Sequence, residues 1–196
     1  MYMKEILDDY ETYGPLFLVD QEHYEEFCSY LKKITLKKSE FFLKEGEQCE
    51  YLGFLKNGLM RTFYINENGE DINFNFHFNH HFFTDYESIL QNVKSKMNIK
   101  ALKDSEIMLL HKDDLQKLYQ KEAYWQEFGR KMTEVIFLSA QKRIEELLYY
   151  VPERRYYNLL SENPQIFQLV PQKHIASYLG IKPQSLSRIR NRTVKR

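Results

Sequence analysis

"PQKHIASYLGIKPQSLSRIRNR", residues 171–192, reads as two short helices joined by a tight turn. Ala176 is the small residue that lets a second helix cross closely, and Gly180 supplies a turn position tolerant of φ > 0. Ile175, Leu179, Ile181, Leu186 and Ile189 are spaced to face inward from both helices. The outward face of the second helix is polar or basic, as a helix lying in the major groove requires. Arginine can bind guanine O6 and N7 together, and glutamine can bind adenine N6 and N7. Gln184, Ser185, Ser187 and Arg188 are therefore the candidate base-reading residues, and Gln172, Lys173, Lys182, Arg190 and Arg192 the candidate phosphate contacts. Lys182 precedes Pro183, so the N-cap site carries lysine and forgoes about 1 kcal/mol of side-chain capping. Its charge suits a phosphate.

The chain of 196 residues has a formal net charge of zero, which conceals an asymmetry. Beyond Glu162 there is no acidic residue, and seven lysines and arginines give this tail +7, leaving −7 on the first 162 residues. A basic tail on an acidic body is the electrostatic footprint of a module that meets phosphate. The two cysteines, Cys28 and Cys49, are too few for an iron–sulfur cluster and are expected to be reduced thiols. The N-terminal stretch MYMKEILDDY is acidic where a signal peptide has its apolar core, and no window approaches a membrane span. A cytoplasmic protein is expected.

Upstream of the two helices, Asp20–Leu31 reads as a helix with Asp20 as N-cap. From Ile34 to Leu110, short apolar or alternating runs are punctuated by Gly46, Gly53, Gly58 and the Asn68-Gly69 pair, which suggests an antiparallel sandwich or rolled barrel. Ile72, Phe74, Phe76 and Phe78 alternate with Asn73, Asn75 and His77. Asp113–Tyr119 reads as a short helix, and Glu122–Tyr150 as one long helix ended by Pro152. Apolar residues recur on two of its faces, with Phe128, Met132, Val135 and Ile136 on the face assigned to a partner helix. The fold class is α+β, and three segments follow: a β-rich domain at 1–121, a long helix at 122–150 and a helical domain at 151–196.

This order of parts resembles the Crp/Fnr family of bacterial transcription regulators. The resemblance runs from about Leu18 to Arg192 and rests on "KEGEQCEYLGFLKNGLMRTFYI" (44–65) and "IASYLGIKPQSLSRIRNR" (175–192). It implies a cyclic-nucleotide-binding-like β-roll, a homodimer formed through the long helix, double-stranded DNA and RNA polymerase as partners, and no enzymatic activity. Family members that take cyclic AMP carry a Gly-Glu pair and an Arg-Ser pair in the roll. Here Thr84-Asp85 and Ser95-Lys96 stand at those places, so the bidentate guanidinium fork for a phosphate is missing. No cofactor is expected, cyclic AMP included. Arg61, Thr84, Asp85, Ser95 and Lys96 are the candidate effector-pocket residues. Many relatives continue into a β-wing, and four residues after Arg192 leave the wing short or absent, with Thr193–Arg196 as an electrostatic substitute.

A rival reading starts from "HFNHHFFTDYE", which gathers His77, His80, His81, Asp85 and Glu87 within eleven residues. Cupin-like barrels hold a metal with such residues. The spacing argues against it, because His77 and His80 would face opposite sides of a regular strand. No Ser/His/Asp, Cys/His or phosphate-loop arrangement adds an enzymatic alternative.

Overall fold

The computed structural model describes residues 10–194. The readings placed on Met1–Asp9 and on Lys195 and Arg196 lie outside the described residues. The chain forms two compact units: Met1–Met60 with His77–Ile136, and Arg61–Phe76 with Phe137–Arg196.

In the first unit two helices, α1 (Tyr10–Phe17) and α2 (Gln21–Ser29), precede the strands. Asp20 caps α2, its carboxylate accepting from the His23 amide at 3.0 Å. Four strands form one antiparallel sheet in the order β1 (Lys32–Leu36), β8 (Ser105–His111), β3 (Tyr51–Asn57), β6 (Phe82–Phe83). Register places Ile34 opposite Ile107 and Leu52 opposite Leu110, with a bulge between Leu55 and Asn57. Facing this sheet, β2 (Phe41–Leu43) pairs with β7 (Asn98–Ala101).

Both faces of the sheet are covered. Leu55, Ile107 and Leu109 pack with Leu43, Ile99 and Phe83 on one side. Leu52, Phe54, Met108 and Leu110 pack on the other with Phe17, Phe27, Leu118 and Trp125. Two-sided burial explains why β3 and β8 read as continuous apolar runs. Gly53 permits one of these contacts, since a Cβ there would stand 2.5 Å from the Phe83 ring. Helix α3 (Tyr86–Gln91) lies between β6 and β7 in the chain, and α4 (Lys112–Lys121) follows β8.

Helix α5 (Ala123–Tyr149) contributes to both units. Its first half places Trp125, Phe128 and Met132 in the first unit's core. Two of the four residues assigned to a partner helix, Phe128 and Met132, are thus occupied within this chain; Val135 is exposed and Ile136 half-buried. The second half buries charge and exposes apolar residues. Arg143 and Glu146 are buried, whereas Phe137, Leu138, Ile144 and Leu148 are exposed.

The second unit contains the hairpin of β4 (Met60–Ile65) and β5 (Asp71–His77), which are hydrogen-bonded neighbours, and the helices α6 (Pro152–Glu162), α7 (Ile166–Leu169), α8 (Gln172–Tyr178) and α9 (Pro183–Val194). The hairpin turns at Asn66–Gly69, where the Asn66 side chain accepts from the amides of Asn68 and Glu70 and Gly69 has φ +77°. Along β5 the expected alternation is not a simple inside-out pattern. Asn73 is 1% exposed and Ile72 is 42% exposed. The side chain is buried because Arg61 of β4 donates to its oxygen at 3.0 Å and His174 of α8 stands 3.5 Å from its nitrogen, a tertiary effect invisible in a period-two pattern. At the end of α5, the Arg155 guanidinium donates to the carbonyls of Leu147 at 3.0 Å and Tyr150 at 3.1 Å, satisfying groups that the helix end leaves open. No helix among the described residues is long and apolar enough to cross a membrane.

Candidate nucleic-acid interface

The α8–α9 junction is built as a Schellman-type turn. The Ile181 amide donates to the Ala176 carbonyl at 3.0 Å, and the Gly180 amide to the Ser177 carbonyl at 3.0 Å. Gly180 has φ +66°, a conformation that a side chain resists even though a Cβ would find open space there. Ile175, Ala176, Leu179, Leu186 and Ile189 are buried and Ile181 is half-buried. The Lys182 carbonyl accepts from the amides of Ser185 and Leu186, opening α9 without a side-chain cap.

The polar residues sort by exposure. Gln172, Lys173, Lys182, Gln184, Ser187, Arg188 and Arg192 are exposed, and Ser185 and Arg190 are half-buried. Two of the assigned phosphate contacts touch protein: the Arg190 guanidinium lies 5.4 Å from the Phe167 ring, and Arg192 Nη1 is 3.8 Å from Glu153. The result is a solvent-facing basic surface on one short helix held by an apolar underside. Chemically, such a surface can offer hydrogen-bond donors to base edges and charge to phosphates.

In the first unit, four of the five candidate effector residues lie at α3. Asp85 caps this helix, accepting from the Ser88 amide at 3.1 Å with one oxygen and from the Ser95 hydroxyl at 2.7 Å with the other. The Ser88 hydroxyl accepts from the Cys49 amide and donates to the Val93 carbonyl. Thr84 donates to the Tyr51 carbonyl. Lys96 is exposed and pairs with Glu87 at 3.4 Å. Asp85, Ser88 and Ser95 are thus buried and mutually satisfied. The fifth candidate, Arg61, is not brought to them: its guanidinium bonds Asp71, Asn73 and His174, all in the second unit. Burial lowers the Arg61 pKa, and Asp71 offsets part of that.

The histidine cluster disperses. His77 is buried, and burial, with His81 nearby, depresses its pKa to about 3. His80 and His81 are exposed, His80 at φ +68°. Asp85 is engaged by Ser88 and Ser95. Among the described residues no three His, Cys, Asp or Glu side chains are grouped to hold a metal.

Two features escaped the sequence reading. One is the Arg61–Asn73–His174–Ser177 cluster, for which local sequence carries no signal because Arg61 and His174 are 113 positions apart. The other is Arg143, whose guanidinium donates to the Tyr178 carbonyl and stacks 3.8 Å from the Tyr178 ring.

Residues 33–122 match the family model of the cyclic nucleotide-binding domain. The Anaerobic regulatory protein of Bacillus subtilis is 24% identical over 144 residues, a stretch covering 73% of this chain and 60% of the relative's length. FixK2 from Bradyrhizobium japonicum superposes with a TM-score of 0.72 at 18% identity, over 84% of this chain and 85% of FixK2. A protein from Eubacterium rectale, assigned to the Crp/Fnr family of transcriptional regulators, gives the same TM-score and identity over 93% of this chain and 88% of its own. The chain has the Crp/Fnr fold. Residues 33–122 carry the match to the cyclic nucleotide-binding domain, and the α8–α9 turn lies in the C-terminal helical part.

Proposed function

We propose that this Crp/Fnr-type chain is a homodimeric, sequence-specific DNA-binding regulator whose β-domain does not take cyclic AMP. The observation that carries the reading is the α9 surface: Gln184, Ser187 and Arg188 are exposed on a helix seated by buried Leu186 and Ile189, in a segment without an acidic residue after Glu162. Base reading falls to Gln184, Ser185, Ser187 and Arg188, and phosphate contact to Gln172, Lys173, Lys182, Arg190 and Arg192. The Bacillus subtilis relative, a regulatory protein, supports the same class. Contact with RNA polymerase and a cytoplasmic location follow from it. Dimerisation is supported by the exposed apolar residues Val135, Leu138, Ile144 and Leu148 of α5, which need cover. Rejection of cyclic AMP is supported by the closed Asp85–Ser95 bond and by the lack of an arginine at that place.

Selection of binding sites from random duplex DNA tests the proposal. A recovered two-fold-symmetric consensus, with half-sites about 10 base pairs apart, is the expected result. Failure to enrich any sequence would overturn it.

A further inference from the structure

We infer that the β4–β5 hairpin is a working part of the DNA-reading head: its Arg61–Asp71–Asn73 cluster seats α8, and through α8 sets the angle at which α9 presents its outer face. The inference rests on the DNA-binding reading above. The hairpin residues Arg61–Phe76 form one compact unit with the C-terminal helices, although about a hundred residues of chain intervene.

The seat is specific in its bonds. Arg61 Nη1 donates to Asn73 Oδ1 at 3.0 Å and stands 3.2 Å from His174 Nδ1, while Nη2 bonds the Asp71 carboxylate. Arg61, Asn73 and His174 are all buried. Beside them, the Ser177 hydroxyl accepts from the Asn73 amide at 2.9 Å and donates to the Asp71 carbonyl at 2.7 Å. One α8 side chain thereby pairs with an amide and a carbonyl that β5, an edge strand, would otherwise leave open. The neighbouring Tyr178 ring lies 5.3 Å from Phe76 on the hairpin and 3.8 Å from the Arg143 guanidinium on α5. Helix α8 is therefore gripped from two sides, by contacts that fix direction as well as distance.

A buried ionic cluster contributes little net stability over apolar packing of the same volume. Its hydrogen bonds do restrict the two elements to one mutual arrangement. Positioning is thus the role that this chemistry serves best. Arg61 acts through α8 and touches no DNA itself.

The test uses the full chain and two variants, Arg61→Met, which keeps volume, and Ser177→Ala, which removes one hydroxyl. Three quantities are read: affinity for the site recovered by selection, affinity for a random duplex of equal length, and the distance distribution between spin labels at Asn68→Cys and Asn191→Cys, both exposed positions. With labelled chain diluted into excess unlabelled chain, so that each dimer carries one labelled pair, expected are one narrow distance in the parent, a broadened one in both variants, and a loss of site affinity of about tenfold with random-duplex affinity within about twofold. Unchanged distances with site affinity within about twofold would overturn the inference, as would equal losses on both duplexes. Should Arg61→Met fail to fold, Ser177→Ala decides alone. If the parent prefers no duplex, the DNA-binding reading falls, and a broad parent distance would by itself overturn the seat.

Discussion

Asp85, which the family resemblance sets against a ligand-binding glutamate, turns both its oxygens inward to Ser88 and Ser95. Asp85→Ala removes a helix cap and leaves the buried Ser95 hydroxyl without its acceptor, so it should lower stability by about 2–3 kcal/mol in urea unfolding. Millimolar cyclic AMP should leave the thermal midpoint of the parent unmoved. A clear rise would show that the closed network opens for ligand. On α9, Arg188→Ala should weaken binding to the selected site by about 1–3 kcal/mol and relax preference at one base pair, measured by titration against single-base variants. Equal losses on all sequences would reassign Arg188 to phosphate. His77 gives the chain an acid sensitivity. Its folded pKa of about 3 lies below the ordinary 6.5, so between these values the unfolded chain binds a proton that the folded chain refuses. The stability is fully present above about pH 6.5 and is lost as pH falls toward 3. At pH 5 it should be about 2 kcal/mol below its pH 7 value, and His77→Phe should flatten that difference in urea unfolding.

Helix α5 has two halves with different obligations. Trp125, Phe128 and Met132 satisfy the first unit's core, while the second half buries Arg143 and Glu146 and exposes Ile144 and Leu148. Propensity and period alone cannot distinguish these halves, because every turn of the helix carries apolar residues. Ile144→Glu combined with Leu148→Glu should shift the light-scattering mass from twice 23.9 kDa to the single-chain mass without loss of helix content. A dimer surviving both charges would place the interface elsewhere. The strands give a parallel lesson. Continuous apolar runs in β3 and β8 announce burial on both faces, whereas β5 conceals its buried face behind asparagine and histidine.

Across the whole molecule, charge is partitioned along the chain, with all of the +7 after Glu162. Binding to the selected site should therefore weaken with salt. Some four cationic phosphate contacts in each of two heads give a log–log slope of about −7, and Lys173→Ala should reduce its magnitude by about 2. A flat salt dependence would contradict a phosphate-reading tail. The helical pair of the tail, the long helix, the β-domain and the charge asymmetry are all written in the sequence. Each depends on local spacing: Gly180 at a positive φ, apolar residues at helical intervals, turn residues between strands, acids absent from one segment. The closed Asp85–Ser95 network was half legible, since the missing arginine could be read but the inward hydrogen bonds could not. It takes the packed chain to show that Arg61 belongs with His174 and Ser177 rather than with Asp85, that Phe128 and Met132 face their own core, and that Asn73 is buried. Those outcomes depend on which distant surfaces meet. A buried guanidinium, amide or hydroxyl is tolerable only where a partner from elsewhere in the chain satisfies it, and local spacing carries no record of that partner.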